Sequence, residues 1–189
     1  MKKEVEWLSS RCVSAVLIEL ARRPLTPMQL RIKTGMTKNN YVNIILKRLE
    51  SEDIVKCLNK KAKIGMIYCI NPTSASKVEN ILLEKGVKQE VLSLPDLNWN
   101  AYGKLMCGHC RQLKMVFRKV NELRKEGRDI IVFNLKEKLP AMATSDVYRA
   151  LNRLIELGMI IREDTIPKRF RITQEGMAML EFEPGIILI

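Results

Sequence analysis

One pattern of apolar, basic and turn-forming residues occurs twice in this chain of 189 residues, at a nearly constant offset. A shift of 105 places residues 25–55 on residues 130–160, and the matched pairs are Leu25 with Ile130, Leu30 with Leu135, Lys33 with Lys138, Val42 with Val147, Leu46 with Leu151, Arg48 with Arg153, and Leu49 with Leu154. Further along the chain the offset changes to 100, at which Thr73 falls on Thr173. Because an internal repeat constrains the whole fold, we expect two domains of similar construction that differ in the length of one loop.

The predicted domains fit the length of the chain. We expect an N-terminal domain over residues 1–86, a linker over 87–104 and a C-terminal domain over 105–189. Domains of this size are within the usual range. In each copy, apolar positions recur at three- and four-residue intervals, and two short β-rich runs follow them. The predicted class is therefore mainly α with small β-hairpins (α+β).

In the first copy, residues with strong local preferences mark the helix boundaries. The first helix ends before Pro24; the second is capped by Thr26, has Pro27 in its first position and ends at Gly35. The third helix covers residues 39–51, and its apolar stripe consists of Val42, Ile45, Leu46 and Leu49. The copy is completed by β-rich runs over 54–58 and 66–70 and by a closing helix over 73–85.

The second copy follows the same order after a longer lead-in. A helix is predicted over 100–126, with weak early turns at Gly103 and Gly108 that could delay its start to about residue 111. Thr144 is the predicted N-cap of the third helix, and Gly158 is predicted to end it. The remaining elements are a short strand over 130–133, a helix over 134–139, hairpin strands over 159–163 and 169–173, and a last helix.

Two apolar features predict association between chains. The stripe of the long helix consists of Met106, Cys110, Leu113, Phe117, Val120 and Leu123. It is longer than a compact domain needs, so we expect part of it to face a second chain. The tail over residues 183–189 ends in four aliphatic side chains, which require a cover on their own core or across an interface. A homodimer is therefore expected.

Each third helix carries polar and basic side chains opposite its apolar stripe, and each following hairpin is basic. Amides can pair with adenine edges and basic groups can reach guanine or phosphate, which favours a helix lying in the major groove of DNA. The candidate DNA-binding residues of the first copy are Asn39, Asn40, Asn43 and Lys47 on the helix and Lys60, Lys61 and Lys63 in the loop. Those of the second copy are Ser145, Tyr148, Arg149 and Asn152 on the helix and Lys168, Arg169 and Arg171 in the hairpin. The alternative for the loop lysines is an ordinary solvated loop.

The charge of the chain favours a polyanionic partner. It carries 33 basic and 21 acidic residues, a net charge of +12. Residues 1–88 hold 17 basic and 8 acidic side chains (+9), and residues 89–189 hold 16 and 13 (+3). Such an excess favours nucleic acid or an anionic membrane surface. An aromatic content of 5% argues against a stacking surface for single strands, so double-stranded DNA is the predicted partner.

The expected location is cytoplasmic, with no membrane partner. No apolar run reaches the length of about 18 residues that a bilayer span requires. The N-terminal lysines are followed by Glu4 and Glu6 and not by the apolar stretch of a signal peptide.

Two runs in the second copy carry a resemblance to a known class. The run from Asn152 to Ile160 is similar to the end of the recognition helix in many bacterial and archaeal winged helix-turn-helix repressors, where Arg-Leu and a glycine lead into the wing strand. The run from Ile172 to Gly176 resembles the segment that follows the wing. The first copy matches more loosely, since Asp53 stands where glycine is usual and residues 73–76 lack the glycine. The resemblance implies two tandem winged helix-turn-helix domains that bind DNA, usually as a homodimer on a pseudopalindrome.

The predicted function is sequence-specific, double-stranded DNA-binding transcriptional regulation. A replication initiator of plasmid or viral type is one alternative, and it would bind direct repeats near an origin. A scaffold whose winged helices bind proteins is another. An enzyme is not expected, because the chain has a single histidine and no Gly-rich phosphate loop or carboxylate pair stands out. No cofactor is predicted.

The cysteines offer one chemically distinctive cluster. Cys107 and Cys110 enclose His109, and such a pair needs two further ligands for a closed zinc site. Cys57 and Cys69, on facing strands of the first hairpin, are candidates for those two. A redox or disulfide role is a second interpretation. The favoured one is packing, with no metal, because Cys110 falls on the apolar stripe.

Overall fold

The computed structural model describes residues 7–37, 39–84, 86, 94, 96–107 and 110–182. The chain divides into two compact units, residues 1–94 and residues 95–189. The described residues of each unit are mainly helical and include one two-stranded antiparallel sheet. No helix among the described residues is long and apolar enough to cross a lipid bilayer.

The first unit contains four α-helices and a hairpin among its described residues. In chain order these elements are α1 (Arg11–Arg22), α2 (Pro27–Thr34), α3 (Asn39–Ser51), β1 (Val55–Cys57), β2 (Tyr68–Ile70), a 3-10 turn (Pro72–Ser74) and α4 (Ala75–Glu84). The predicted order and the predicted bounds of the three leading helices are confirmed.

Local chemistry sets the ends of α2. The Thr26 side chain accepts a hydrogen bond from the Gln29 amide, and the Gln29 side chain accepts one from the Thr26 amide, which makes a reciprocal capping box. Pro27 occupies the first helical position, where its missing N–H is not needed. At the other end Gly35 takes the left-handed conformation (φ 68°) that lets the chain turn toward α3.

The core of the first unit lies between the helices and the hairpin. The predicted stripe of α3 is buried, and it packs against α2 and β1. The largest fully buried side chains of this core include Leu17, Leu20, Leu25, Leu30, Leu46 and Leu49. Burial of each such side chain stabilises the fold by about 1.5–3 kcal/mol relative to exposure, so the core fixes which face of α3 meets solvent.

The second unit begins inside the stretch that was predicted to be a linker. Its elements are α5 (Trp99–Met106), α6 (Arg111–Lys125), α7 (Val132–Lys138), α8 (Thr144–Glu156), β3 (Ile160–Arg162), β4 (Phe170–Ile172) and α9 (Gln174–Phe182). Helix α5 is capped by Asn98, whose side chain accepts a hydrogen bond from the Ala101 amide. The rings of Trp99, Tyr102 and Phe182 pack edge to face, with centroids 5.5–5.8 Å apart. The expected linker of 87–104 is therefore too long at its C-terminal end, and residues 87–93 lie outside the described residues.

Three local predictions in the second unit are wrong. The single helix expected over 100–126 is two helices, α5 and α6, with Cys107 and Cys110 between their ends, whereas the delayed start expected at about residue 111 is confirmed by α6. The strand expected over 130–133 is one β-bridge from Ile130 to Phe170, because α7 already starts at Val132. Thr144 is the first residue of α8 and not its cap; that position belongs to Ala143, which has no side chain able to accept a hydrogen bond.

The stripe of the long helix is covered by its own unit. Met106, Leu113, Phe117, Val120 and Leu123 are buried, and α6 packs against α7 and α8. The expectation that part of this stripe faces a second chain is therefore wrong for these five residues. The apolar tail at 183–189 lies outside the described residues.

Residues that differ by 105 in number occupy corresponding positions in the two units through α3 and α8, the third helix of each copy. Asp53 (φ 57°) and Gly158 (φ 73°), which differ by 105 in number, both end a third helix in the left-handed conformation. The residue after each donates its amide to a carbonyl one turn back, Ile54 to Leu49 at 2.8 Å and Met159 to Leu154 at 2.9 Å. The first copy thus forms the same turn without the glycine that the resemblance leads one to expect.

After the hairpins the true offset is 102, not 100. Strand β1 pairs Val55 with Ile70, and β3 pairs Ile160 with Ile172, so the second hairpin is three residues shorter. The residues that begin the last helices are therefore Asn71 and Thr173, and each side chain accepts a hydrogen bond from a following amide. The match of Thr73 to Thr173 is wrong. The two residues are identical in type, but the residue of the first copy that corresponds to Thr173 is Asn71, and Asn and Thr can both cap a helix.

Candidate nucleic-acid interface

The solvent face of α3 is centred on a row of three residues. Each helical residue advances by about 100°, which places Asn40, Ile44 and Lys47 opposite the buried stripe, and all three are exposed. Asn43 is exposed on one flank of the row. Asn39 is the first residue of the helix, and its side chain lies outside the described set.

Ile44 is the residue that the sequence analysis missed on this face. Its side chain is 61% exposed, and the neighbouring Tyr41 is 47% exposed. The helical period places this residue on the solvent face, but its apolar side chain is not a type expected to bind DNA by hydrogen bonds or charge. Because this apolar side chain lies at the centre of a solvent face, packing in the hydrophobic core does not explain its presence.

Arg48 has a structural role. Its guanidinium lies 3.8 Å from the ring centroid of Trp7, and its Nε is 2.9 Å from a carboxylate oxygen of Glu52. A cation over an aromatic face is attracted to the electron-rich ring. These contacts hold Arg48 along the flank of α3 and tie the segment before α1 to that helix.

The loop of the first hairpin, residues 59–65, is braced by one buried side chain. Asn59 is 4% exposed; its Oδ1 accepts the amide of Ile67 at 2.8 Å, and its Nδ2 donates to the Gly65 carbonyl at 3.0 Å. Cys57 adds a thiol contact to the same Oδ1 at 3.5 Å. The loop is therefore held at both ends by one amide group, and this residue was not predicted to have a role.

The braced loop presents three lysines to solvent. Lys60, Lys61 and Lys63 are exposed, as is Lys47 on α3. Among the residues that the structure describes, no carboxylate lies within ion-pair distance of any of these four ammonium groups. Because their charge is not neutralised within the unit, they form a positive surface that attracts polyanions.

The solvent face of α8 has the same geometry and a different composition. Ser145, Arg149 and Asn152 occupy the row that Asn40, Ile44 and Lys47 occupy on α3, because each pair differs by 105 in number. All three are exposed, and Tyr148 is 48% exposed on the flank. The predicted apolar stripe of α8 is buried, and it consists of Val147, Ala150, Leu151 and Leu154.

The three candidate arginines of the second unit are paired with acids. Arg149 contacts Asp146 at 2.7 Å, Arg169 contacts Asp129 at 3.1 Å and Arg171 contacts Glu163 at 3.6 Å. Lys168 has no such partner among the residues that the structure describes. Exposed pairs are individually weak, at about 0–1 kcal/mol, but each one lowers the net positive charge of the surface. Among the described residues, the candidate surface of the first copy therefore has more unpaired basic side chains than that of the second.

Helix α8 and strand β3 share an open cleft. It is lined by Asn152, Ile155, Glu156, Ile161 and Arg162. The outward face of the helix is thus continuous with the outward face of the hairpin in this unit.

Each hairpin loop also exposes an isoleucine that was not predicted to matter. Ile64 is 61% exposed in the first loop, and Ile166 is fully exposed in the second. Thr165 braces the second loop, since its hydroxyl donates to the Pro167 carbonyl and accepts the Arg169 amide.

The cysteines do not form a common ligand set. The Sγ atoms of Cys107 and Cys110 lie 2.9 Å apart, and burial, followed by the hydrogen bond between the two thiols, raises the pKa of the Cys110 thiol to about 11. In the first hairpin Cys57 pairs with Tyr68, and Cys69 pairs with Lys56. Cys57 and Cys69 therefore lie on opposite faces of that sheet. Within the described part of the chain, no three His, Cys, Asp or Glu side chains are grouped to hold a metal ion.

The surfaces of α3 and α8, with the hairpin that follows each helix, are the candidate interface. Their exposed side chains include amides, hydroxyls, lysines and arginines, together with isolated apolar groups and the acids Glu156 and Asp164. No protein-family model matches the chain, and comparisons with curated proteins and with solved structures find no similar protein.

Proposed function

We propose that this chain is a sequence-specific, double-stranded DNA-binding transcriptional regulator built from two tandem winged helix-turn-helix domains. In this proposal α3 and α8 are the recognition helices, each of which enters a major groove. The loops of the two hairpins are the wings, and they contact phosphate beside the groove.

The observation that carries the proposal is the surface of the first unit. A helix with an outward row of amide and lysine side chains packs directly on the strand that leads into a braced loop of three lysines. A major groove about 12 Å wide admits one α-helix. A positive loop fixed next to such a helix can neutralise the flanking phosphates, which supplies most of the affinity of such proteins for any duplex.

In the first unit, Asn39, Asn40, Asn43 and Lys47 are the proposed base or near-base contacts, and Lys60, Lys61 and Lys63 contact the backbone. In the second unit, Ser145, Tyr148, Arg149 and Asn152 have the first role, and Lys168, Arg169 and Arg171 have the second. The ion pairs of Arg149, Arg169 and Arg171 are exposed. A phosphate can therefore displace their carboxylates at little cost.

A homodimer remains a prediction of this proposal, and a twofold-symmetric operator would support it. A protein-binding scaffold is the second candidate. It is favoured by the second unit, where Arg149, Arg169 and Arg171 are paired with carboxylates and Phe133 is 70% exposed. The unpaired lysines of the first unit favour DNA.

The proposal is tested by binding of the full chain to labelled nucleic acids, followed by fluorescence anisotropy. We expect a duplex of about 30 base pairs to be bound well above a single strand of the same sequence. Selection from a random duplex pool is expected to enrich a defined sequence. Equal binding to single and double strands, or no binding to either at physiological salt, would contradict the proposal and favour the scaffold.

A further inference from the structure

We propose that α3 reads A·T base pairs through the 5-methyl group of thymine, and that Ile44 is the side chain that contacts it. The inference rests on the proposed function and deepens it, because it names the class of base pair that the first unit selects. It also assigns a specificity-determining role to a residue that composition and charge do not single out.

The position of Ile44 is the first argument. It lies at the centre of the solvent face of α3, one turn from Asn40 and one turn from Lys47, and 61% of it is exposed. The core of the unit does not use it, since the buried stripe is on the opposite side of the helix. Isoleucine is also a weaker helix former than alanine, leucine or lysine, so it does not serve the local stability of an exposed helix.

The chemistry of the major groove is the second argument. Among the base edges exposed there, thymine alone carries an apolar group, its 5-methyl, and adenine presents an acceptor and a donor that suit an amide side chain. Asn40 and Asn43 are those amides, and each is within one turn of Ile44. An amide side chain can therefore contact the adenine of one A·T pair, and an aliphatic side chain on the neighbouring turn can contact the thymine of the adjacent pair.

The second unit supplies the contrast. At the offset of 105, the residue that corresponds to Ile44 is Arg149, which is also exposed. The position therefore tolerates a long charged side chain in this fold, and an isoleucine there is not dictated by packing. Arg149 is suited to guanine, so the two helices have different expected preferences, and Arg149 provides a matched control.

The experiment replaces thymine by uracil in the duplex. A preferred site is selected with the full chain and synthesised in two forms, with thymine or with deoxyuridine at its A·T pairs. Uracil keeps every hydrogen-bonding group of thymine and lacks only the methyl group, so the replacement removes the apolar interaction alone. Dissociation constants are measured at one salt concentration for the wild type, Ile44→Ala and Arg149→Ala.

The wild type is expected to bind the uracil site about fourfold more weakly for each contacted methyl group, the equivalent of about 0.8 kcal/mol. Ile44→Ala is expected to bind both forms equally, with an unchanged or higher midpoint of thermal unfolding. Arg149→Ala is expected to bind both forms more weakly while keeping the wild-type preference for thymine. This pattern separates a contact made by Ile44 from an effect of uracil on the duplex itself.

Three results would overturn the inference while leaving duplex binding intact. These are equal binding of both forms by the wild type, a full thymine preference in Ile44→Ala, and a selected site without A·T enrichment. If Ile44 instead lies at an interface with a second copy of the chain, Ile44→Ala changes the oligomeric state measured by sedimentation and keeps the thymine preference. That result also overturns the inference. Failure of the wild type to bind any duplex would reject the proposed function itself.

Discussion

Gly176 lies close against the backbone of Met159 in the second unit. A Cβ atom at this residue would overlap the carbonyl oxygen of Met159 and lie 2.8 Å from Cγ2 of Ile172. Thr173, three residues earlier, donates its hydroxyl to the carbonyls of Gly158 and Met159 and accepts the Gly176 amide. The segment from Thr173 to Gly176 therefore holds the start of α9 against the turn that ends α8.

Gly176→Ala is predicted to destabilise the second unit by about 1–3 kcal/mol because of this overlap. Helix propensity alone gives the opposite sign, since alanine in a helix is favoured over glycine by about 1 kcal/mol. Denaturant unfolding of the wild type and of Gly176→Ala shows which of these two effects on stability is larger. A variant as stable as the wild type, or more stable, would show that α9 does not pack this closely.

Cys69 makes the stability of the first unit depend on alkaline pH. Burial raises the pKa of its thiol from 9.0 to about 11, because the thiolate is poorly solvated inside the hairpin. The folded state then holds its proton more tightly than the unfolded state. This contribution is complete below pH 9 and is lost as the pH rises toward 11.

The unfolding free energy of the wild type is predicted to fall between pH 9 and 11, with Cys69 responsible for about 1–2 kcal/mol of the decline. Cys69→Ala removes the titrating group and should make the decline shallower. Cys12→Ala removes a thiol elsewhere in the same unit and serves as the control. An identical decline in wild type and Cys69→Ala would contradict the assignment.

At the scale of elements, the first hairpin depends on Asn59. Its buried amide bonds both to Ile67 and to Gly65. Asn59→Ala is predicted to lower stability by about 1–3 kcal/mol, since it leaves buried backbone groups without partners. It should also weaken duplex binding although no charge is removed, because the lysines are then presented by a looser loop.

Hydrogen exchange measures this loosening directly. The Ile67 amide should exchange faster in Asn59→Ala, and Asn59→Asp, which keeps the accepting oxygen, should protect it more than alanine does. Unchanged protection of Ile67 in Asn59→Ala would show that the side chain does not brace the loop.

Much of the element order could be predicted, and the exceptions have physical causes. The stripes of α3 and α8 fix their faces, because burial selects one side of an amphipathic helix. The cap of α8 could not be predicted, since Ala143 has no capping side chain and Thr144 is a favourable candidate beside it. Helix α5 was expected only as the weak first turns of a longer helix, because Gly103, a poor helix former, lies inside it.

The residue types of the candidate site could be predicted from the sequence, but the ion pairs that its basic side chains form could not. The exposure of Asn43 and Arg149 was expected, and both are exposed. The partner of Arg169 is Asp129, which is 40 residues away in sequence (169 − 129), so the neutralisation of the second hairpin depends on the tertiary fold. Ile44 was missed because its residue type is typical of a core.

For the whole molecule, charge is divided unequally between the units. The first has unpaired lysines on α3 and in its loop, whereas Arg169 and Arg171 of the second hairpin are paired with carboxylates. Net charge alone gives +9 for residues 1–88 and +3 for residues 89–189. Among the described residues, the proposed DNA-binding surface of the first unit also has more unpaired basic side chains, so the first unit should supply most of the salt-dependent affinity.

The most direct test is the salt dependence of duplex affinity between about 50 and 200 mM salt. Substitution of Lys60, Lys61 and Lys63 by glutamine should reduce the slope of log K against log salt by up to about 2.7, at about 0.9 for each phosphate that is no longer neutralised. The matched substitution of Lys168, Arg169 and Arg171 should reduce it less, and neither should change the selected sequence. If the lysine variant keeps the wild-type slope, the first hairpin does not contact DNA and the central claim is wrong.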